Sequence, residues 1–514
     1  MLQIKNVTIT HKRDDRVLLS DASFVLNQGG KAVLIGEEGN GKSTLLKWIY
    51  DPALIEDYAE TEGERITGGE RLGYLPQELP REAADLSVYE YFAEQPLFFE
   101  KSPKDLSRLA SQMNLPADFC YRETPMGVLS GGEKVKAQLM ALLLNEPTVM
   151  LLDEPSNDLD LATLAWLEEM IAASPLAILY ISHDETLIEK TANMVIHLEQ
   201  VRRKTVSRLT VMRTSYREYV ENREAVMANQ TQLALTQQRE AKIREEKFRR
   251  ILQKVEHDQG AVSRQDPHSG RLLKKKMHAV KALEHRYERE GQEMAEIPDR
   301  EEAMFVRFGD RCEPIPAGKI LLDLSLDELR TPDDTRVLSK DIRLFLKGSP
   351  KLCIIGTNGC GKSTLLRQIA AQLIARDDIR AAYMPQNYAD ALPEDATPVE
   401  FLCETGDKEE VTRVRTYLGS MKVTADEMDH ALSALSGGQR AKILLLKLSL
   451  SGANVLILDE PTRNFSPLSG PVIRRMLREY PGAILSISHD RKFIREVCDD
   501  VYELNEAGLS RVRY

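Results

Sequence analysis

No stretch of the sequence approaches the roughly 18 apolar residues that a membrane-spanning helix needs, so no membrane-spanning helix is expected in this chain. Cysteine is scarce: six, at positions 120, 312, 353, 360, 403 and 498, with no CxxC pair and no zinc-like spacing. That argues against a structural zinc site or a disulfide framework and fits a reducing, cytoplasmic compartment. The opening Met-Leu-Gln-Ile-Lys-Asn enters strand-like alternation directly, so a signal peptide is not expected. Positive charge is in deficit. A formal net charge of −11 by itself speaks against a polyanionic partner. The deficit is uneven, however. Residues 201–300 hold 23 Lys and Arg against 15 Asp and Glu, a local +8 that leaves −19 for the rest. A basic middle between acidic ends is the pattern of a localised polyanion contact. At 514 residues, 42% hydrophobic and 29% charged, the chain suits two or three globular domains.

What is present is a repeated phosphate-binding pattern. Gly36-Glu-Glu-Gly39-Asn40-Gly41-Lys42-Ser43 follows the apolar run Lys31–Ile35 and leads into Thr44-Leu-Leu-Lys47. Strand, Gly-rich turn and helix start are the context a P-loop requires. Gly356-Thr-Asn-Gly359-Cys360-Gly361-Lys362-Ser363, followed by Thr364, repeats the pattern after Lys351–Ile355. Glycines let successive N–H groups curl toward phosphate oxygens, and the helix N-terminus adds its positive dipole end. Lys42 and Lys362 are placed to reach β- and γ-phosphates, and the Ser43 and Ser363 hydroxyls to ligate Mg²⁺. One match could be a degenerate loop; two in one chain argue against a purely structural reading.

The repeat extends well beyond the P-loops. Tyr74-Leu-Pro-Gln77 is matched by Tyr383-Met-Pro-Gln386, and Leu129-Ser130-Gly131-Gly132 by Leu435-Ser436-Gly437-Gly438. The apolar strands ending in Asp153-Glu154 and Asp459-Glu460 follow, then Ile181-Ser-His183-Asp and Ile487-Ser-His489-Asp. Signature Ser to strand-end Asp is 23 residues in both halves, and that Asp to the His is 30 in both. Only the P-loop Lys to signature Ser distance differs, 88 against 74.

Five ordered motifs found twice resemble the ATP-binding cassette ATPases. The resemblance implies an α/β chain with two ABC-type P-loop domains, residues 1–205 and 316–514. Each should have a mainly parallel core, a small antiparallel sheet and a helical subdomain. It implies ATP and Mg²⁺ in two sites. Asp153 and Asp459 would act on Mg²⁺ through water, and Glu154 and Glu460 would polarise the attacking water. A carboxylate ending a buried strand is costly unless it works or pairs. His183 and His489, ordinary strand-end histidines by themselves, become γ-phosphate sensors. Gln77 and Gln386 would contact Mg²⁺ and the attacking water. Ser130, Gly131 and Gly132, like Ser436, Gly437 and Gly438, could form a bare helix N-cap. In this family they bind the γ-phosphate held by the opposite cassette, which gives two head-to-tail composite sites within one monomer.

Departures predict unequal sites. Glu154 is followed by Pro-Ser-Asn-Asp-Leu-Asp160, but Glu460 by Pro-Thr-Arg463-Asn-Phe465-Ser466-Pro467. Ser466 thus stands where the first half has Asp160. No clear aromatic precedes either P-loop to stack on adenine, and His11 is the nearest candidate in the first half.

The middle decides the branch. Met212 to about His257 lacks Gly and Pro, which favours one long helix. Gly260, Pro267 and Gly270 break it, and a second helix is expected from Arg271 to about Gly291. Leu273, Met277, Val280 and Tyr287 would pack on Ile251, Leu252 and Val255. Around the tip Arg264, Arg271, Lys274, Lys275, Lys276 and Lys281 face only Asp266. A charge run is often a solvated helix face; at a hairpin tip it suits phosphate-backbone contact. Tandem cassettes joined by a basic hairpin, residues 206–315, resemble the ABC-F family. That implies a ribosome partner (rRNA and tRNA), a linker directed toward peptidyl-tRNA and the peptidyl-transferase centre, and release on ATP hydrolysis. Roles range from translation factor to antibiotic resistance by ribosomal protection. The competing readings are the ATPase subunit of a membrane transporter and a DNA-associated cassette ATPase.

Overall fold

The computed structural model describes residues 1–201, 206–261, 275, 277–282, 286–287, 312–331 and 333–514. The chain opens with β1 (Leu2–His11) and β2 (Val17–Leu26), which pair antiparallel. Leu2, Ile4, Val7 and Ile9 are all buried, so the apolar alternation changes parity midway. The change falls at Asn6, whose φ is +47°, where the register with β2 shifts between Ile4 and Val7. A bulge there keeps both apolar pairs on the core face. After β3 (Lys31–Gly36), β4 (Ala59–Ile66) joins β1 to complete the sheet β2-β1-β4.

The main sheet of the first cassette adds β5 (Leu72–Leu75), β6 (Val149–Asp153), β7 (Ala177–Ile181), β8 (Met194–Val201) and β9 (Val206–Met212). Its order is β5-β6-β7-β3-β8-β9, parallel except for the β8–β9 pair. β3, β6 and β7 are buried at every position, as expected of parallel strands covered on both faces. β9 is part of this sheet, so the domain boundary expected at residue 205/206 falls inside a hairpin.

The second cassette repeats the plan. β10 (Ile320–Arg330) and β11 (Val337–Lys347) form a two-stranded antiparallel sheet. β12 (Lys351–Ile355), β13 (Ala381–Met384), β14 (Val455–Asp459), β15 (Ala483–Ile487), β16 (Asp500–Asn505) and β17 (Gly508–Val512) form the main sheet, ordered β13-β14-β15-β12-β16-β17. The spacing difference between the halves now has a cause. Lys42 lies 30 residues before Leu72, but Lys362 only 19 before Ala381. Most of the surplus is β4, which has no counterpart among the described residues of the second half. Each cassette also carries short helices ahead of a longer one that starts at the signature, Gly131–Leu144 and Gly437–Leu450.

The chain divides into two compact units: Met1–Tyr216 together with Glu301–Tyr514, and Arg217–Arg300. The second unit is dominated by the helix Tyr216–Ala261, 46 residues and about 69 Å long. Pairs such as Arg217–Glu221 and Arg249–Glu245 run i to i+4 along its exposed surface. Of the expected returning helix, residues 275, 277–282 and 286–287 are described and are helical. Val280 is buried, and the Tyr287 ring meets Phe248 edge-on at 6.1 Å. Phe248, outside the expected partner surface, meets Tyr287, while Ile251 of that surface is exposed. Leu273 and Val255 lie outside what can be described. Among the described residues no helix is long and apolar enough to cross a membrane.

Candidate functional site

The sheet order brings the motifs to one edge. The P-loop, Glu154, His183 and Gln77 all follow the C-terminal ends of the parallel strands β3, β6, β7 and β5. Clefts beyond such strand ends are where open α/β sheets bind ligands. Gly36 has φ +154°, and a side chain there would strike the carbonyl oxygen of Leu198. Gly356 has φ +151° and meets the carbonyl of Leu504 in the same way. Gly41 and Gly361, at φ +87° and +101°, cap the helices Lys42–Tyr50 and Lys362–Ile374.

Lys42 Nζ donates to the carbonyls of Gly36 and Glu37, both at 3.0 Å. Lys362 repeats this with Gly356 at 2.8 Å and Thr357 at 2.9 Å. Each ammonium is thereby fixed inside its own loop. Burial pushes the Lys42 ammonium below its ordinary range, against the pull of Glu154 and Glu38. The Asn40 amide turns away from the cleft and donates to the Leu198 carbonyl at 3.1 Å, tying the loop to β8. Cys360 holds the same position in the second loop and is buried.

Ser43 Oγ lies 3.0 Å from Asp153 Oδ1, while Tyr74 donates to Oδ2 at 3.3 Å. Burial, reinforced by Glu154, raises the Asp153 carboxyl to about 6. Asp459 is raised too, by burial first, with the Ser363 hydroxyl beside it acting the other way. A serine hydroxyl beside a buried carboxylate in each cassette suits a hard divalent cation.

Glu154 and Glu460 take left-handed backbone angles, φ +51° and +54°. That conformation costs roughly 1–2 kcal/mol for a non-glycine residue. Its occurrence at both strand ends points to the aim of the side chain. The surroundings then differ. Glu154 Oε1 sits 3.0 Å from His183 Nε2, and burial, which would raise the carboxyl, is outweighed by His183 and Lys42, so it falls below its ordinary value. Glu460 Oε1 is 3.7 Å from His489 Nε2. Burial raises the Glu460 carboxyl to about 8 and lowers His489 to about 4.

The two cassettes face each other head to tail. Gly438 N–H donates to Glu38 of the first P-loop. On the other side a Cβ on Gly131 would meet Asn358 of the second P-loop at 3.7 Å. Ser130 and Ser436 both cap their helices, in capping boxes with Glu133 and Gln439. The N-cap geometry and the position facing the opposite P-loop therefore coexist. Asp158 links three motifs of the second cassette: its carboxylate pairs with Arg463 at 2.9 Å and accepts from Gln386 at 3.4 Å, and its carbonyl accepts from Asn358. Arg463, unusual in the sequence, is thus a cross-cassette ion-pair partner.

A cavity of about 550 Å³ at the second site is lined by Lys362, Ser363, Thr364, Glu460, His489 and Asp158. One of about 420 Å³ at the first includes Lys42, Ser43, Thr44, Gln77, Glu154 and His11. His11 stands there beside Tyr58, ring centroids 6.4 Å apart. Tyr58 escaped sequence reasoning because it follows the P-loop helix and lies in no motif. Ser466 does not replace the cap that Asp160 provides. Asp160 accepts from Thr163 N–H at 2.9 Å and starts the helix Leu161–Ala173. The second-cassette helix begins only at Gly470, after Ser469, which makes no side-chain cap. Of the basic tip residues, Lys275 and Lys281 are exposed. Arg264, Arg271, Lys274 and Lys276 lie outside the described residues.

Two P-loop cassettes in one chain, each presenting its signature helix to the other's phosphate loop, define a tandem ATP-binding cassette ATPase. The ABC transporter family matches residues 19–157 and 339–463, just over half of the sequence. The chain belongs to that family, as a tandem-cassette ATPase of the ABC-F type. It is 28% identical to ABC transporter F family member 5 of Arabidopsis thaliana, over 99% of this chain and 75% of that protein. To ATP-binding protein Uup of Escherichia coli (strain K12) it is 28% identical, covering 96% and 79%. The archaeal ribosome recycling factor aABCE1, solved with ribosomal stalk protein aP1, shares the fold with a TM-score of 0.58 at 16% identity, covering 99% and 90%.

Proposed function

We propose that this ATPase acts on the ribosome: it binds with both cassettes closed on ATP, directs a basic hairpin toward peptidyl-tRNA and the peptidyl-transferase centre, and leaves when ATP is hydrolysed. The observation that carries the reading is the combination of head-to-tail cassettes with an inserted helical unit, Arg217–Arg300, in an otherwise acidic chain. The fold shared with the archaeal ribosome recycling factor supports it. The linker in this reading is the inserted unit Arg217–Arg300, shorter than the expected 206–315 because β9 belongs to the first cassette, and the chain works as a monomer in the cytoplasm, without a membrane subunit. Protection of the ribosome against antibiotics is one form the activity could take.

In each site the P-loop amides and Lys42 or Lys362 hold the β- and γ-phosphates, while the opposite signature, Ser436 to Gly438 or Ser130 to Gly132, closes on the γ-phosphate. Ser43, Gln77 and Asp153, and Ser363, Gln386 and Asp459, would hold Mg²⁺, which neutralises charge on the β- and γ-oxygens. Glu154 and Glu460 orient the attacking water and take its proton, and His183 and His489 sit beside them toward the γ-phosphate. The test is Glu154→Gln with Glu460→Gln, which keeps shape and removes the base. Hydrolysis should fall by about 10²-fold or more, and the variant should sediment with ribosomes in ATP. Wild-type turnover, or a variant that stays in the supernatant, overturns the reading.

A further inference from the structure

The two P-loops differ where they face the partner cassette. The first carries Glu37 and Glu38; the second carries Thr357 and Asn358 at the same positions. Asn358 donates to the Asp158 carbonyl and stays within the contact between P-loop and opposite strand-end loop. Glu38 goes further. Its Oε2 accepts the N–H of Gly438, the second residue of the signature helix Gly437–Leu450. A Cβ on Gly438 would meet Glu38 Oε2 at 2.6 Å, and one on Gly437 would meet Oε1 at 3.0 Å. The carboxylate is therefore seated on the bare glycine backbone at the positive end of a helix, the environment that favours an anion. Glu37 adds to the hold by reaching Lys422 and Lys442 of the second cassette, each at 3.5 Å.

We propose that Glu38 is an internal competitor of ATP at the first site: its carboxylate occupies the signature donors that the γ-phosphate requires, and ATP closes this site only by displacing it. The proposal rests on the composite-site reading above and deepens it. One helix terminus with a few N–H groups does not satisfy two adjacent anions. Glu38 also lines the same cavity as Lys42 and Glu154, so a γ-phosphate placed there would stand among carboxylates. The second site has a neutral amide in this place, so the toll falls on the first site alone. ADP lacks the phosphate that meets the signature, so the effect should discriminate between ATP and ADP.

The experiment isolates the first site with Lys362→Ala and measures equilibrium binding of ATP and ADP with and without Glu38→Gln, a substitution of the same shape. Expected is a rise of roughly tenfold or more in ATP affinity, the scale for removing a like-charge contact, with ADP affinity changed by less than about twofold. Glu38→Asn, which copies the second loop, should act in the same direction. An equal gain for ATP and ADP, or no gain for ATP, overturns the proposal. Lys42→Ala in the same background separates the levels. If it abolishes ATP binding while Glu38→Gln does nothing, only the Glu38 proposal fails. If ATP binding survives Lys42→Ala, the site reading beneath it fails as well.

Discussion

The Nδ1 of His183 lies 2.6 Å from the carbonyl oxygen of Phe465 in the other cassette. A carbonyl oxygen only accepts, so Nδ1 carries a proton. Nε2 of the same ring faces Glu154 Oε1 at 3.0 Å, so the ring is held between the two cassettes. His489 has no such arrangement. Among the described residues its buried Nδ1 has no hydrogen-bond partner, and its Nε2 is 3.7 Å from Glu460. Identical motifs therefore make two electrostatically different sites.

This difference predicts different pH dependence. A general base works in its ionised form, which predominates above its pKa. Glu460 is raised to about 8, so hydrolysis at the second site should climb as pH rises through about 8. Glu154 is held below its ordinary value, so the first site should be nearly flat from neutral pH upward. Steady-state ATPase profiles of Lys42→Ala, with only the second site, and Lys362→Ala, with only the first, would show this. Parallel profiles would contradict it.

Removing the ring should convert one behaviour into the other. In the Lys362→Ala background, His183→Ala takes away the group that most opposes burial at Glu154. Turnover should drop by about 10²-fold, and the remaining rate should acquire an alkaline midpoint. A drop with no change in profile would assign His183 to phosphate contact alone.

The motifs were legible because phosphate chemistry restricts residue type and spacing, and the parallel sheet fixes both. The P-loops, Asp153-Glu154 and the signatures stand where the repeat placed them. What spacing does not carry is burial. Glu154 and Glu460 both end a Leu-Asp-Glu-Pro run yet shift in opposite directions, because a neighbour from the other cassette, Phe465, positions only one histidine. The lack of a β4 counterpart among the described residues of the second half was visible merely as a gap of altered length. Tyr58 and Phe248 were missed for a shared reason: each packs against a residue outside its own periodic segment. The 205/206 boundary went astray because β9, read as linker, pairs back onto β8.

Another cross-cassette contact bears on stability. Arg474, only 3% exposed, forks onto Glu185 at 2.6 and 3.3 Å and reaches Glu496 at 3.0 Å. Breaking a buried pair costs about 3–5 kcal/mol where the remaining charge loses every partner; Glu185 keeps Lys492 at 2.9 Å, which sets the expected loss toward the lower end. Arg474→Leu should therefore lower the melting temperature clearly. Arg474→Leu with Glu185→Leu should recover most of the loss, because both desolvated charges are gone. Thermal melts of the two variants would check this; a double variant no better than the single would show that the pair is not the source.

The hairpin is tested by salt. Each lysine or arginine that contacts a phosphate releases condensed counterions, so affinity falls steeply with ionic strength. Lys275 and Lys281 are exposed and carry their charge in a segment with a local +8. Replacing Arg271, Lys274, Lys275 and Lys276 with Gln should weaken ribosome binding and reduce the slope of log affinity against log salt by about one for each phosphate partner removed. Nucleotide binding should stay intact, because both P-loops belong to the other compact unit. The measurement is sedimentation with ribosomes across a potassium series, in the Glu154→Gln, Glu460→Gln background so that hydrolysis does not drive release. A solvated helix face that touches no phosphate gives superimposable curves for the parent and the Gln variant. Phosphate binding gives curves that diverge most at low salt and converge as screening removes the advantage of the basic tip.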